Sequence, residues 1–163
     1  MADRTFPFRP KSNASLEAGD FFGVPLPNAR WACGLVLGPM PGTRVAFVGG
    51  VLDWSGTSAP TCADVEKAGV VCKVTEHHVK TITGYGLAIN GNCHVDQSDY
   101  PAMWTRRKMM QGGIVLDIPL DFKAPSMPAT SFGGLVFAAV RDFGGVTDPG
   151  QIQSYLETLR SDT

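Results

Sequence analysis

The residue types able to carry covalent, acid–base or metal chemistry gather most densely at Cys72, His77, His78, Cys93, His94 and Asp96. Thiolates and imidazoles are the ligands zinc prefers, but zinc sites pair them at short spacings, and adjacent residues such as Cys93 and His94 point apart on extended backbone. No metal centre is expected, and packed or surface side chains are the better account. A cysteine nucleophile needs a base within reach and a third group to orient that base. His94 and Asp96 follow Cys93 closely, yet no nucleophile elbow or family signature places them together. No catalytic residue is assigned, and the region around His77, His78, Cys93 and His94 stands as the alternative, an enzyme of unfamiliar type.

The other constellations carry less. Asp53, Asp64, Glu66, Asp96, Asp99, Asp117 and Asp121 are dispersed; Asp96 and Asp99 share a short loop that lacks the oxygen-ligand rhythm of a calcium site. Glycine pairs at Gly49-Gly50, Gly112-Gly113, Gly133-Gly134 and Gly144-Gly145 lack both the phosphate-loop lysine and the dinucleotide fingerprint, so they read as turns and bulges. No cofactor is expected. Trp104-Thr105-Arg106-Arg107-Lys108 is the basic patch, too few cations for much counterion release on nucleic acid, and after a solvated face its next reading is protein contact. Asp53-Trp54 before Ser55-Gly56 makes a plausible rim, a tryptophan beside a carboxylate at a strand end. Trp54, Trp104, Arg106 and Arg107 are therefore the expected partner-binding residues.

These side chains must be held by a chain of 163 residues, 44% hydrophobic and 18% charged, which is enough for one domain with a filled core. A formal net charge of -1 gives no global field to attract nucleic acid or an anionic membrane. An early acid at Asp3 and Pro7 interrupt any signal-peptide pattern, and the apolar runs fall short of the roughly 20 residues a membrane helix needs. A cytoplasmic protein is expected, a monomer or small homo-oligomer with no nucleic-acid or membrane partner. Cys33, Cys62, Cys72 and Cys93 are irregularly spaced in a chain too large to depend on disulfides, so reduced thiols are expected.

The positioning elements follow from turn chemistry and periodicity. Residues 1–15, with Pro7, Pro10 and three cations, read as an N-terminal arm, and 16–163 as a single globular domain. Strands are expected at 21–26, 31–37 and 44–52, separated by Pro27-Asn28-Ala29 and by Gly38-Pro39-Met40-Pro41-Gly42; Pro25 puts the first at an edge or ends it there. An edge strand is open to pairing, which is the basis of a second alternative, a structural assembly module. A helix at 61–68 is signalled by Thr61 as cap with Asp64 in the first turn. Strands follow at 70–74 and 77–83, a long loop region at 84–113, and apolar runs read as buried strands at 113–120 and 134–140. Asp148 as cap, Pro149 at the first helical position and Ile152, Tyr155, Leu156 and Leu159 on one face predict a C-terminal helix. The expected fold is α+β, a mainly antiparallel curved β-sheet with a few flanking helices.

The opening strands carry a further pattern: Gly19, Asp20, Phe22, Pro25, Leu26, Trp31, Gly34, Val36 and Leu37, then the aliphatic run 45–52. In that order they resemble the immunity protein 26 family, whose members neutralise polymorphic bacterial toxins. The likeness covers mainly residues 16–54; Trp104 corresponds to a later tryptophan of such proteins, while Leu35 stands where the family often has a basic residue. The resemblance implies an antitoxin-like binding protein rather than an enzyme, with a cognate protein toxin as partner, occluded through an interface with an aromatic centre and a polar rim.

Overall fold

The computed structural model describes residues 4–40, 42–68, 71–93, 106–111, 114–119 and 133–161, with the backbone alone for 71–75, 106–111, 114–119 and 161. Five strands, β1 (Asp20–Pro25), β2 (Trp31–Pro39), β3 (Ala46–Gly56), β4 (Val71–His78) and β5 (Gly91–Asn92), form one antiparallel sheet in the order β4-β3-β2-β1-β5. A separate antiparallel pair joins β6 (Arg106–Gln111) to β7 (Ile114–Pro119). The helices described are α1 (Cys62–Ala68), α2 (Lys80–Thr83), α3 (Gly134–Phe143) and α4 (Pro149–Ser161). The chain is an α+β single domain, as its turn chemistry predicts.

Both faces of the main sheet are covered, which is why β2 reads as a continuous apolar run instead of an alternating one. On one face Phe22, Val24, Ala32, Val36, Phe47 and Val51 meet Leu135, Val136, Ala139 and Val140 of α3 and Ile152 and Leu156 of α4. On the other, Phe21, Cys33, Leu35, Leu37, Val48 and Leu52 pack with Val65 of α1 and Cys93.

The resembling residues build the β1–β2 hairpin. Phe22 stands directly opposite Gly34, and its ring occupies the space a Cβ at Gly34 would need, so the aromatic and the glycine are one packing decision. Gly19 has φ +91° and its backbone presses against the Cys93 carbonyl, a place closed to any side chain. Asp20 is fully buried, and Arg4 grips both carboxylate oxygens at 2.6 Å while the Glu17 amide and Asn92 Nδ2 donate at 2.9 and 2.8 Å.

The same contact fastens the N-terminal arm. The Arg4 guanidinium lies 5.3 and 5.0 Å from the ring centres of Phe6 and Phe8, both packed against the first core. Phe8 exchanges backbone hydrogen bonds with Ile89, and buried Asn13, in a short 3-10 turn (Asn13–Ser15), donates to the Met40, Thr43 and Ala46 carbonyls.

Several elements differ from expectation. The apolar run at 134–140 is helix, because Leu135, Val136, Ala139 and Val140 share one face at the 3.6-residue period and the run is extended by Arg141-Asp142-Phe143. The run at 77–83 splits: His77 and His78 end β4, and the His78 ring accepts the Lys80 amide at 3.0 Å, turning the chain into α2. Part of the expected loop region is strand, since β5 and β6 fall within it. β1 is not a free edge either. The Asn90 amide donates to the Phe21 carbonyl, Gly23 donates to Asn90 Oδ1 at 2.6 Å, and Tyr155 Oη donates to the Pro25 carbonyl at 2.6 Å. The groups on which edge pairing would depend are thus largely taken within the chain.

Candidate functional site

Trp54 lies on an irregular stretch of β3. The β2–β3 register runs Gly34↔Val51 and then Ala32↔Ser55, so Leu52, Asp53 and Trp54 all face the single residue Cys33. Such a bulge bends the strand and re-aims its side chains, which a regular ladder at this point would not do. Asp53 is exposed, and Trp54 is half-buried, its indole lying over Gly56 and its inner edge packed on the second core. Trp31, also half-buried, pairs with Gly56 in the β2–β3 register, while its indole lies over Gly23 of β1 beside Pro60. Arg30 Nε donates to Ser55 Oγ at 3.0 Å and closes the rim with a polar contact.

The remaining expected contact residues lie elsewhere. Arg106 and Arg107 are on β6 of the smaller sheet, which comes close to β4 of the main sheet, and Trp104 lies outside the described residues. Trp54 is therefore the one expected contact residue whose side chain is described.

Among the described residues, His77 and Cys93 do not come together. His77 stands opposite Phe47 with its ring 5.6 Å away, so it points into the first core. Cys93 follows β5 at the far edge of the sheet and packs into the second core. Burial drives His77 down to about 4, partly offset by a hydrogen bond with the Gly49 backbone, and its Nε2 is buried without a partner. His78 is lowered by burial and by Lys80. Cys72 is placed on β4 by its backbone, while His94 and Asp96 lie outside the described residues.

Cys93 has other neighbours, which sequence reading does not bring together. Its Sγ lies 3.5 Å from the Cys62 carbonyl and 3.8 Å from Glu66 Oε1, and Cys62 Sγ lies 3.9 Å from the same Oε1. The three ligand atoms are all within 4.8 Å of one another. Burial pushes the Cys93 thiol up to about 12, and Cys62 and Glu66 add to that. The sequence signal was half present: Cys62 and Glu66 are one turn apart on an expected helix and so share a face. The arrival of Cys93 is set by tertiary structure alone.

The fold and rim define a small α+β domain with an aromatic edge. A scan of family models, a search of curated proteins and a search of solved structures each give no match. Among the described residues no helix is long and apolar enough to cross a membrane.

Proposed function

We propose that this chain is a cytoplasmic immunity protein of the immunity protein 26 type, which binds a bacterial protein toxin and neutralises it by occluding its active site. The observation that carries this reading is Trp54, an indole held half out of the second core on a β-bulge, with exposed Asp53 beside it. Such a rim supplies an aromatic anchor with polar neighbours, the composition of a protein-contact centre. The resembling residues support the reading as framework: Gly19, Asp20, Phe22 and Gly34 lock the hairpin that carries Trp31. Binding rather than catalysis also fits the division of His77 and Cys93 between opposite faces of the sheet.

The test is capture of a partner on the tagged chain from lysate of the source cell, followed by growth assays. The expected outcome is a captured protein that arrests growth when expressed alone and is tolerated when co-expressed with this chain. Captured proteins that are all harmless, or toxicity unrelieved by co-expression, would contradict the reading.

A further inference from the structure

We propose that Cys62 Sγ, Glu66 Oε1 and Cys93 Sγ form a site for one soft divalent cation of the zinc class, with the fourth tetrahedral position left to solvent. Three observations converge on it. The first is shape. A tetrahedral zinc with sulfur at about 2.3 Å and carboxylate oxygen at about 2.1 Å requires S···O edges of roughly 3.6 Å. The two S···O edges here are 3.9 Å from Cys62 and 3.8 Å from Cys93, a few tenths of an ångström from that value, and the S···S edge, within 4.8 Å, reaches the roughly 3.8 Å a tetrahedron needs by a movement of at most about 1 Å.

The second is anchoring. Cys62 and Glu66 occupy one face of α1, whose start is fixed reciprocally by the Thr61 amide on Asp64 Oδ2 at 2.9 Å and the Asp64 amide on Thr61 Oγ1 at 3.4 Å. Cys93 is fixed by its amide on the Gly19 carbonyl at 2.9 Å. Ligands on rigid backbone need little reorganisation to bind.

The third is ligand type and access. Two thiols and a carboxylate select zinc over the hard cations that take oxygen alone. Burial is graded, with Cys93 buried, Cys62 intermediate and Glu66 exposed, leaving a solvent route to the site on the Glu66 side. On binding, each thiol releases its proton to solvent as its metal–sulfur bond forms. The cation then ties α1 to the residue after β5.

The test needs no toxin, so its result is separate from the immunity reading. Tag-free full chain, kept reduced with a phosphine, is titrated with Co(II) and then Zn(II). One equivalent of Co(II) is expected to give thiolate-to-cobalt charge transfer and tetrahedral d–d bands, which Zn(II) displaces. Cys62→Ser and Cys93→Ser should each lower the absorption and weaken binding at least a hundredfold. Glu66→Gln, at an exposed side chain, should weaken it at least tenfold with the metal-free melting temperature unchanged; Cys72→Ala should bind as wild type. If Cys93→Ser does not fold, Cys62→Ser and Glu66→Gln decide alone. Absent charge transfer, unchanged affinity in Cys62→Ser or Glu66→Gln, or lost binding in Cys72→Ala would overturn the proposal.

Discussion

His77 shows how one side chain writes a pH dependence into the molecule. Its imidazole stays neutral in the fold down to about 4, whereas the unfolded chain takes up the proton near 6.5. The unfolded state therefore binds more protons between those values, and stability falls as pH drops from 6.5 to 4. The loss from this residue amounts to about 3 kcal/mol across the window. His77→Phe should flatten that part of the curve and should cost about 1 kcal/mol at pH 7, because Phe cannot replace the hydrogen bond with the Gly49 backbone while the unpartnered Nε2 has nothing to lose. Denaturant unfolding of both proteins at pH 7 and pH 4.5 measures the difference. Arg4 makes the opposite case. Removing it in Arg4→Ala leaves buried Asp20 without its ion partner and should cost about 3 kcal/mol. Glu17→Ala removes only the exposed contact at 3.3 Å and should cost at most about 1 kcal/mol. Neither role is visible in the sequence, since Arg4 and Asp20 are joined across 16 positions by tertiary structure.

At the scale of elements, what was legible is what turn and cap chemistry dictate. β1, β2 and β3 follow from proline and glycine at their ends, and α4 from its cap: Asp148 accepts the Gln151 amide at 3.0 Å. Asp148→Ala should therefore cost about 1 kcal/mol, read from thermal or urea unfolding. α3 was not legible as helix because a short buried apolar run has the same composition in either form, and packing against β2 and β3 decides it. β6 was hidden because Arg106-Arg107-Lys108 shows no alternation, and β5 because two residues carry no period. The rim was half legible. Asp53-Trp54 beside Ser55-Gly56 marks it in the sequence, but the bulge that turns it outward is a property of the β2–β3 register. Gly34→Ala tests the hairpin itself: a methyl there must displace the Phe22 ring, which should destabilise by about 2 kcal/mol.

For the whole molecule, both faces of the main sheet are covered and the outer edge of β1 is largely taken within the chain, while half-buried Trp54 and Trp31 lie at one end of β3 and β2. A binding surface built this way concentrates its energy in few residues. Loss of one anchoring indole should thus weaken a complex without unfolding the chain, because Trp54 is only half-buried. The decisive measurement is the dissociation constant between the purified chain and its captured toxin, for wild type and Trp54→Ala, by titration calorimetry. The immunity reading predicts at least tenfold weaker binding for Trp54→Ala, about 1.4 kcal/mol or more, with the variant still folded by circular dichroism. An affinity equal to that of wild type would contradict the account and move the contact surface away from this rim.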